Sequence, residues 1–234
     1  MRFGIDQARY GQVISGLPIL LIAFGLAWCT QGHADRGDEP TVKLPAARRT
    51  GRDSLEEALA RRRSVRDFAG TALSDAELSQ LLWAAQGITQ RSLGLRTAPS
   101  AGALYPLEVF LSTQAGVFQY EPETHQLHQL ISTDVRNALF EAALRQESVR
   151  DAPAVFAIVG VYERTAKKYS STRAKRYVHI EAGHAAQNLL LQAVTMDLAA
   201  VPIGAFEDDK VKRVLALPRT HEPLYLVPVG HPAR

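Results

Sequence analysis

The sequence predicts one α+β domain, and three observations carry that expectation. Two serine-led capping motifs open helices in its first half, and an almost wholly apolar run at residues 154–162 marks a strand buried on both faces. Helical and extended segments then mix without the βαβ alternation of a doubly wound sheet.

Taken in order, Ser54-Leu55-Glu56-Glu57 reads as a capping box in which the serine oxygen and the Glu57 carboxylate satisfy free amides, with Leu55, Ala58 and Leu59 on one apolar face. Regular structure is expected to begin there. A second box, Ser74-Asp75-Ala76-Glu77, starts a helix with Leu78, Leu81, Leu82 and Ala85 on one side and Gly87 placed to end it. From Leu107 the period changes: residues 107–111 alternate weakly, and residues 117–120 and 126–130 flank Glu121-Pro122-Glu123-Thr124, predicting a strand followed by a hairpin. Residues 134–144 return to helical spacing. After the apolar strand a long helix is expected over residues 173–198, with Ile180, Ala182 or Gly183, Ala186, Leu189, Leu190 and Ala193 inward. A short helix at residues 211–217 and a last strand at 224–229 complete the domain.

The chain has 234 residues, 46% hydrophobic and 22% charged, which is globular composition and enough length for one sizeable core. Its formal charge of +3 suits a phosphate-bearing cofactor or an anionic substrate, while 7% aromatic content and the lack of a basic helix argue against a nucleic-acid partner. Residues 1–34 differ from the rest. The uncharged run at residues 17–28 fits a signal-peptide h-region, with Gly32-His33-Ala34 as the cleavage region, so an exported, periplasmic protein beginning near Asp35 is expected. Extending the run back to Val13 leaves an uncleaved membrane anchor open, Cys29 a lipoprotein route, and a mis-called start codon a cytoplasmic chain. Arg2 and Arg9 stand apart, unlike a twin-arginine signal. Residues 35–52, polar and broken by two prolines, read as a linker or an arm lying over a partner, which places the main domain at residues 53–234. Cys29 is the only cysteine, so the chain after the leader forms no disulfide, binds no metal through thiolates and has no cysteine nucleophile.

Charge is densest at Arg61-Arg62-Arg63-Ser64-Val65-Arg66-Asp67-Phe68. Guanidinium forks there could grip phosphate with a serine hydroxyl and exposed amides, or the arginines could simply face solvent at a helix C-terminus. Pro99-Ser100-Ala101-Gly102-Ala103-Leu104-Tyr105-Pro106 is a run of small residues between prolines, and Val201-Pro202-Ile203-Gly204-Ala205-Phe206 is a second small-residue turn. Each permits close approach of backbone amides to a flat ligand, and each could equally be an ordinary loop. Neither GxGxxG nor a P-loop is present. His179, Glu181 and His184 lack the HExxH spacing, so they read as packed or hydrogen-bonded helix residues and no metal site is expected.

Arg62-Arg63-Ser64-Val65-Arg66-Asp67-Phe68 matches the RRSxRxF signature of the nitroreductase-like flavoenzymes. With residues 99–106, 179–190 and 201–206 in register, the chain resembles the SagB/ThcOx-type branch of that superfamily from about Ser54 to Ala233. The resemblance implies an α+β sandwich around a mostly antiparallel sheet, in an intertwined homodimer with two FMN molecules at its interface. Arg62, Ser64 and Arg66, assisted by Arg63, would hold the ribityl phosphate and ring edge. Pro99, Ser100, Ala101 and Gly102 would reach the flavin of the other subunit. Pro202, Ile203, Gly204 and Ala205 would lie along its face, with amides near the redox-active nitrogen. In azoline-oxidising members a Lys-Tyr pair before the long helix acts in deprotonation, and Lys168-Tyr169 lies at a comparable place, with Lys167 and Arg173 near enough in sequence to favour a neutral lysine. The expected reaction is hydride transfer between flavin and a small organic substrate, with NAD(P)H a candidate donor. A non-catalytic exported flavin-binding protein on the same scaffold is the alternative. Ala103 and Tyr105 replace an asparagine and a glutamine of the broader pattern, and only Arg234 stands for the basic residues usual past the last Val-Gly.

Overall fold

A computed structural model describes residues 40–233. The leader, most of the arm's first residues and Arg234 lie outside the described residues. In chain order the elements are β1 (Thr41–Lys43), α1 (Leu55–Arg61), α2 (Asp75–Gln86), β2 (Ile88–Gln90), β3 (Leu95–Arg96), β4 (Leu107–Thr113), β5 (Gly116–Glu121) and β6 (Gln126–Ile131). They continue with α3 (Arg136–Ala142), α4 (Glu147–Asp151), β7 (Ala154–Gly160), α5 (Tyr162–Ala166), α6 (Ser171–Thr195), β8 (Ala199–Ala200), α7 (Asp208–Val214) and β9 (Glu222–Gly230).

Seven strands form one sheet in the order β1-β6-β5-β4-β7-β9-β8, every neighbouring pair antiparallel. β7 lies near the middle and is buried along its whole length. Ala154, Phe156 and Ile158 point to the face covered by Leu81 and Leu82 of α2 and by Val178, Ala182, Ala185 and Leu189 of α6. Val155, Ala157 and Val159 point to the other, against Leu139 of α3, Val149 of α4 and Val211 and Leu215 of α7. The run is therefore apolar because helices cover both faces of an antiparallel sheet, a three-layer α+β sandwich.

Both capping boxes form. The Glu57 amide donates to Ser54 Oγ at 3.1 Å and the Ser54 amide to Glu57 Oε2 at 2.8 Å, while the Ser74 amide reaches Glu77 Oε2 at 2.7 Å. Gly87 ends α2, its amide bonded to the Trp83 carbonyl at 2.7 Å, and a Cβ there would fall 2.1 Å from the Trp83 ring.

Three expectations need correction. Regular structure starts at Thr41, before Ser54, because β1 pairs with β6 and the segment behind it is pinned: Pro45 carbonyl accepts from Ser79 Oγ at 2.6 Å, and the Arg48 amide donates to Gln80 Oε1 at 2.8 Å. Those contacts involve backbone, which composition does not reveal. Leu55 and Leu59 are 60% and 51% exposed, since Ala58 is the residue α1 buries and both leucines turn away from the chain's own core. Ile180, expected inward, is also exposed, and the inward position one residue on is taken by Glu181.

A buried ionic knot joins the end of the sheet to α5. Glu108 of β4 accepts from His221 Nε2 at 2.9 Å, from Gln119 Nε2 at 2.7 Å and from Arg164, which also reaches the Tyr105 carbonyl. Burial pushes the Glu108 carboxyl up, but the His221 hydrogen bond and the Arg164 charge outweigh it and hold the group at about 2. A depressed carboxyl contributes stability above its unfolded value and loses it as pH falls through the folded one. We expect on the order of 3 kcal/mol of folding stability to disappear between about pH 4.5 and pH 2. Urea unfolding across that range should show a steeper acid limb for the native chain than for Glu108→Gln; equal limbs would refute the assignment.

Candidate functional site

The arginine cluster divides by role. Arg61 bridges Asp53 and Asp197, each at 2.7 Å, and donates to the Val194 carbonyl at 3.3 Å, clamping the end of α1 to the end of α6. Arg63 folds back on the carbonyls of Ala60 and Arg62 at 2.9 and 2.8 Å, as a cation at a helix C-terminus does. Among the described residues, nothing engages the side chains of Arg62, Ser64 or Arg66. The Val65 amide donates to the Ala200 carbonyl at 3.0 Å, the Ala69 amide to His231 at 2.8 Å and the Ala233 amide to Asp67 at 3.1 Å. These bonds lay the segment between the 201–206 turn and the residues that follow β9.

That turn is fastened along one side only. Val201 and Ile203 donate to the Pro228 and Leu226 carbonyls at 3.2 and 2.8 Å, whereas among the described residues the Gly204 and Ala205 amides have no acceptor. A Cβ on Gly204 would meet nothing within 4 Å. Pro202 is half-buried and Ile203 buried beneath. Gln146 Nε2 holds the Ala205 carbonyl at 2.8 Å, and a cavity of about 520 Å³ opens beside Arg66, Phe68, Gln146 and Ser148, with the carboxylates of Asp67, Glu147 and Asp151 also on its lining. Arg62, Ser64, Arg66, Gly204 and Ala205 thus belong to one region, rich in uncommitted donors.

Pro99, Ser100, Ala101 and Gly102 belong to another. Gly102, Ala103 and Tyr105 have φ of 65°, 53° and 45°, the left-handed region that costs a side-chain-bearing residue roughly 1–2 kcal/mol. The turn is held by the Tyr105 amide on Ser100 Oγ at 2.9 Å and by the Arg96 amide on the Tyr105 hydroxyl at 3.2 Å. Lys168 and Tyr169 meet this turn: a Cβ on Gly102 would stand 3.0 Å from Lys168 Nζ and 3.0 Å from the Tyr169 hydroxyl. Tyr169 packs edge-on against Tyr177, centroids 4.9 Å apart, while Lys168 is exposed. Beside the turn lies Glu181, 2% exposed, whose carboxyl burial pushes up to about 7 against the opposing influence of the Ser100 hydroxyl and the charge of Arg96. His179 and His184 do not join it. His179 Nε2 meets the Tyr162 hydroxyl at 2.6 Å and His184 is exposed, so the three side chains diverge.

The two regions sit at different stations on α6. Ser100 touches it at Glu181 and Arg61 at Val194, which at 1.5 Å per residue puts them roughly 20 Å apart along the helix. Within one chain they meet α6 at separate stations.

Residues 59–231 match the Nitroreductase family. The chain belongs to that family. A nitroreductase-type protein of Methanocaldococcus jannaschii is 40% identical over 200 residues, covering 83% of this chain and 98% of its own length. Among solved structures, a nitroreductase-type protein of Ralstonia eutropha superposes with a TM-score of 0.77 at 28% identity, covering 84% of this chain and 91% of that one. The NADPH:FMN oxidoreductase of Vibrio harveyi, solved with NAD+, shares the fold with a TM-score of 0.59 at 23% identity over 77% of this chain and 69% of that one. This nitroreductase-family chain is a flavin-dependent oxidoreductase. Its residues fit that cofactor: two unengaged guanidinium forks and a hydroxyl suit a phosphate, and two uncommitted amides over open space suit a ring edge.

Sequence reasoning missed Gln146 and Arg96, and read Glu181 only as a packed helix residue. Arg96 follows an apolar residue in a short strand with no period to flag it. Glu181 did carry a signal, since it falls on the buried stripe between Val178 and Ala185. Substitution at the two turn glycines distinguishes the regions. Gly102→Ala is expected to cost about 1–2 kcal/mol, because an alanine there takes up a left-handed φ and crowds Lys168 and Tyr169. Gly204→Ala should leave stability unchanged, and urea unfolding of both variants checks the contrast.

Proposed function

We propose that the chain is a SagB/ThcOx-type dehydrogenase that passes a hydride between FMN and a small organic substrate. Each FMN is assembled from the Arg62–Ala205 region of one copy and the Pro99–Gly102 turn of a second. The observation that carries this reading is the separation of roughly 20 Å along α6 between two regions that each present uncommitted groups to one ligand. A homodimer brings them together, and the exposed Leu55, Leu59 and Ile180 supply apolar surface for a second copy.

FMN supplies the two-electron carrier. Arg62 and Arg66 grip its phosphate with charge-assisted forks, Ser64 adds a hydroxyl donor, and Arg63 stays on the helix carbonyls and contributes charge alone. The Gly204 and Ala205 amides donate toward the ring edge where negative charge develops, with Pro202 and Ile203 fixing the turn behind them. Lys168 Nζ and the Tyr169 hydroxyl, both beside Gly102, hold and move the substrate proton. NAD(P)H serves as the donor where the substrate is to be reduced. Residues 1–34 direct export and are removed near Asp35; N-terminal sequencing of the product from fractionated cells should find that start outside the cytoplasm, and a cytoplasmic chain beginning at Met1 would refute it.

The test uses purified mature protein. It should bind FMN and reject riboflavin, sediment as a dimer, and lose about 1–3 kcal/mol of FMN affinity in Arg66→Ala. Equal binding of FMN and riboflavin would remove the phosphate role of Arg62 and Arg66, and a stable monomer retaining FMN would end the shared-site reading.

A further inference from the structure

Four buried side-chain atoms among the described residues have no hydrogen-bond partner, and three belong to one cluster: Glu181 Oε1, Arg96 Nε and Gln86 Nε2. Arg96 Nη1 donates to Gln86 Oε1 at 3.2 Å, its guanidinium lies over the Tyr105 ring at 4.9 Å, and its charge acts on Glu181. The Ser100 hydroxyl faces the same carboxyl. An orphan acceptor beside two orphan donors is costly unless it serves a purpose, because each unpaired group forfeits its hydration. Arg96 and Glu181 adjoin the left-handed turn that carries Ser100 and Gly102, which the proposed function gives to the flavin of a second copy, and Gln86 lies against Arg96.

We propose that Glu181 is a proton-holding residue coupled to the redox state of the flavin, acting through Ser100 and the Pro99–Gly102 turn. This rests on the shared-site reading of that turn. When electrons delivered by the donor place negative charge above the turn, a proton from solvent adds to the Glu181 carboxylate. No bond of the flavin or substrate to Glu181 is made or broken. The protonated carboxyl removes one negative charge from under the ring, and on reoxidation it returns the proton to solvent.

The surroundings suit the role. Burial, the largest influence on the carboxyl, keeps it near neutrality in its titration, so small changes of local charge switch it. Arg96 of β3 is the cation facing it and is itself balanced by Glu123 of the β5–β6 turn at 3.3 Å. Gln86 of α2 is neutral. Lys168 and Tyr169, ahead of α6, lie across the turn at Gly102. The carboxyl therefore has no full ion pair of its own to pin it in one state.

The FMN-loaded full-length protein tests this by spectroelectrochemical titration of the flavin potential from about pH 5 to about pH 9, comparing the native chain with Glu181→Gln, which keeps the shape and cannot ionise. One extra proton for two electrons is a tenfold change in equilibrium per pH unit. The native potential should therefore fall about 30 mV per pH unit more steeply than the variant's, from about pH 7 upward. Equal slopes would overturn the proposal while leaving FMN binding and the shared site intact. Should the variant fail to fold, the native protein suffices: infrared difference spectra at about pH 8 should gain a protonated-carboxyl band on reduction. No such band overturns the proposal, and failure of the native chain to bind FMN overturns both it and the proposed function.

Discussion

The fit of α6 against the sheet is the constraint on which the rest of the structure depends. Its buried face carries Ala174, Val178, Ala182, Ala185, Ala186, Leu189, Leu190 and Ala193, and the alanines let the helix axis come close to strands whose own side chains are as large as Phe156. Because the stripe runs the length of a 25-residue helix, the helix is held rigidly and serves as a ruler. Arg61 and Asp197 fasten α1 at one station, and Ser100 of the left-handed turn faces Glu181 at another. Neither region can slide toward the other without unpacking the core between them. In the proposed dimer, two copies would each lend one station to the site.

Legibility in the sequence followed local chemistry. The boxes at Ser54 and Ser74 were readable because a cap is a short-range arrangement of a serine and a glutamate three residues apart, and Gly87 because it follows the last periodic residue. β7 was readable as doubly buried, yet its partners were not, since an apolar run says that both faces are covered and nothing about strand direction. β1 was invisible for a physical reason: Thr-Val-Lys between prolines has no pattern, and its place is decided by backbone bonds to β6 and by Pro45 resting on Ser79. The same limit applied at the site. The RRSxRxF resemblance gave the phosphate to Arg62, Ser64 and Arg66 with Arg63 assisting, and the fold adds that Arg63 is spent on helix carbonyls and the preceding Arg61 on the end of α6.

The two ends of α6 also differ in what holds them. At the arginine end the fastenings are exposed ion pairs, individually worth little, and the adjoining turn is secured by backbone bonds to β9. At the other end the polar groups are buried. The Glu108 knot fixes the sheet's end to α5, and Arg96 sits between Gln86, Tyr105 and Glu123. Buried charge is costly wherever it is not fully paired, and Glu108 with three donors is close to fully paired whereas Glu181 keeps an oxygen with no partner. Two carboxyls in the same half of the domain thus differ by about five units, at about 2 and about 7.

That difference assigns them different work. A carboxyl held at about 2 stays charged under ordinary conditions, and so braces the start of β4 and the segment leading to Lys168. One held at about 7 changes state under ordinary conditions and lies beside a turn in which Gly102, Ala103 and Tyr105 occupy left-handed backbone. Such a turn persists only while its surroundings over-determine it, and here those surroundings are the Ser100 and Tyr105 bonds and the carboxyl that Ser100 faces. Strain, partial pairing and a switchable charge therefore coincide at one end of α6, while the phosphate-type donors at the other end need no switching at all. A flavin shared between the two would rest its phosphate on the arginine end and lay its ring between the Gly204 and Ala205 amides and the adjustable turn.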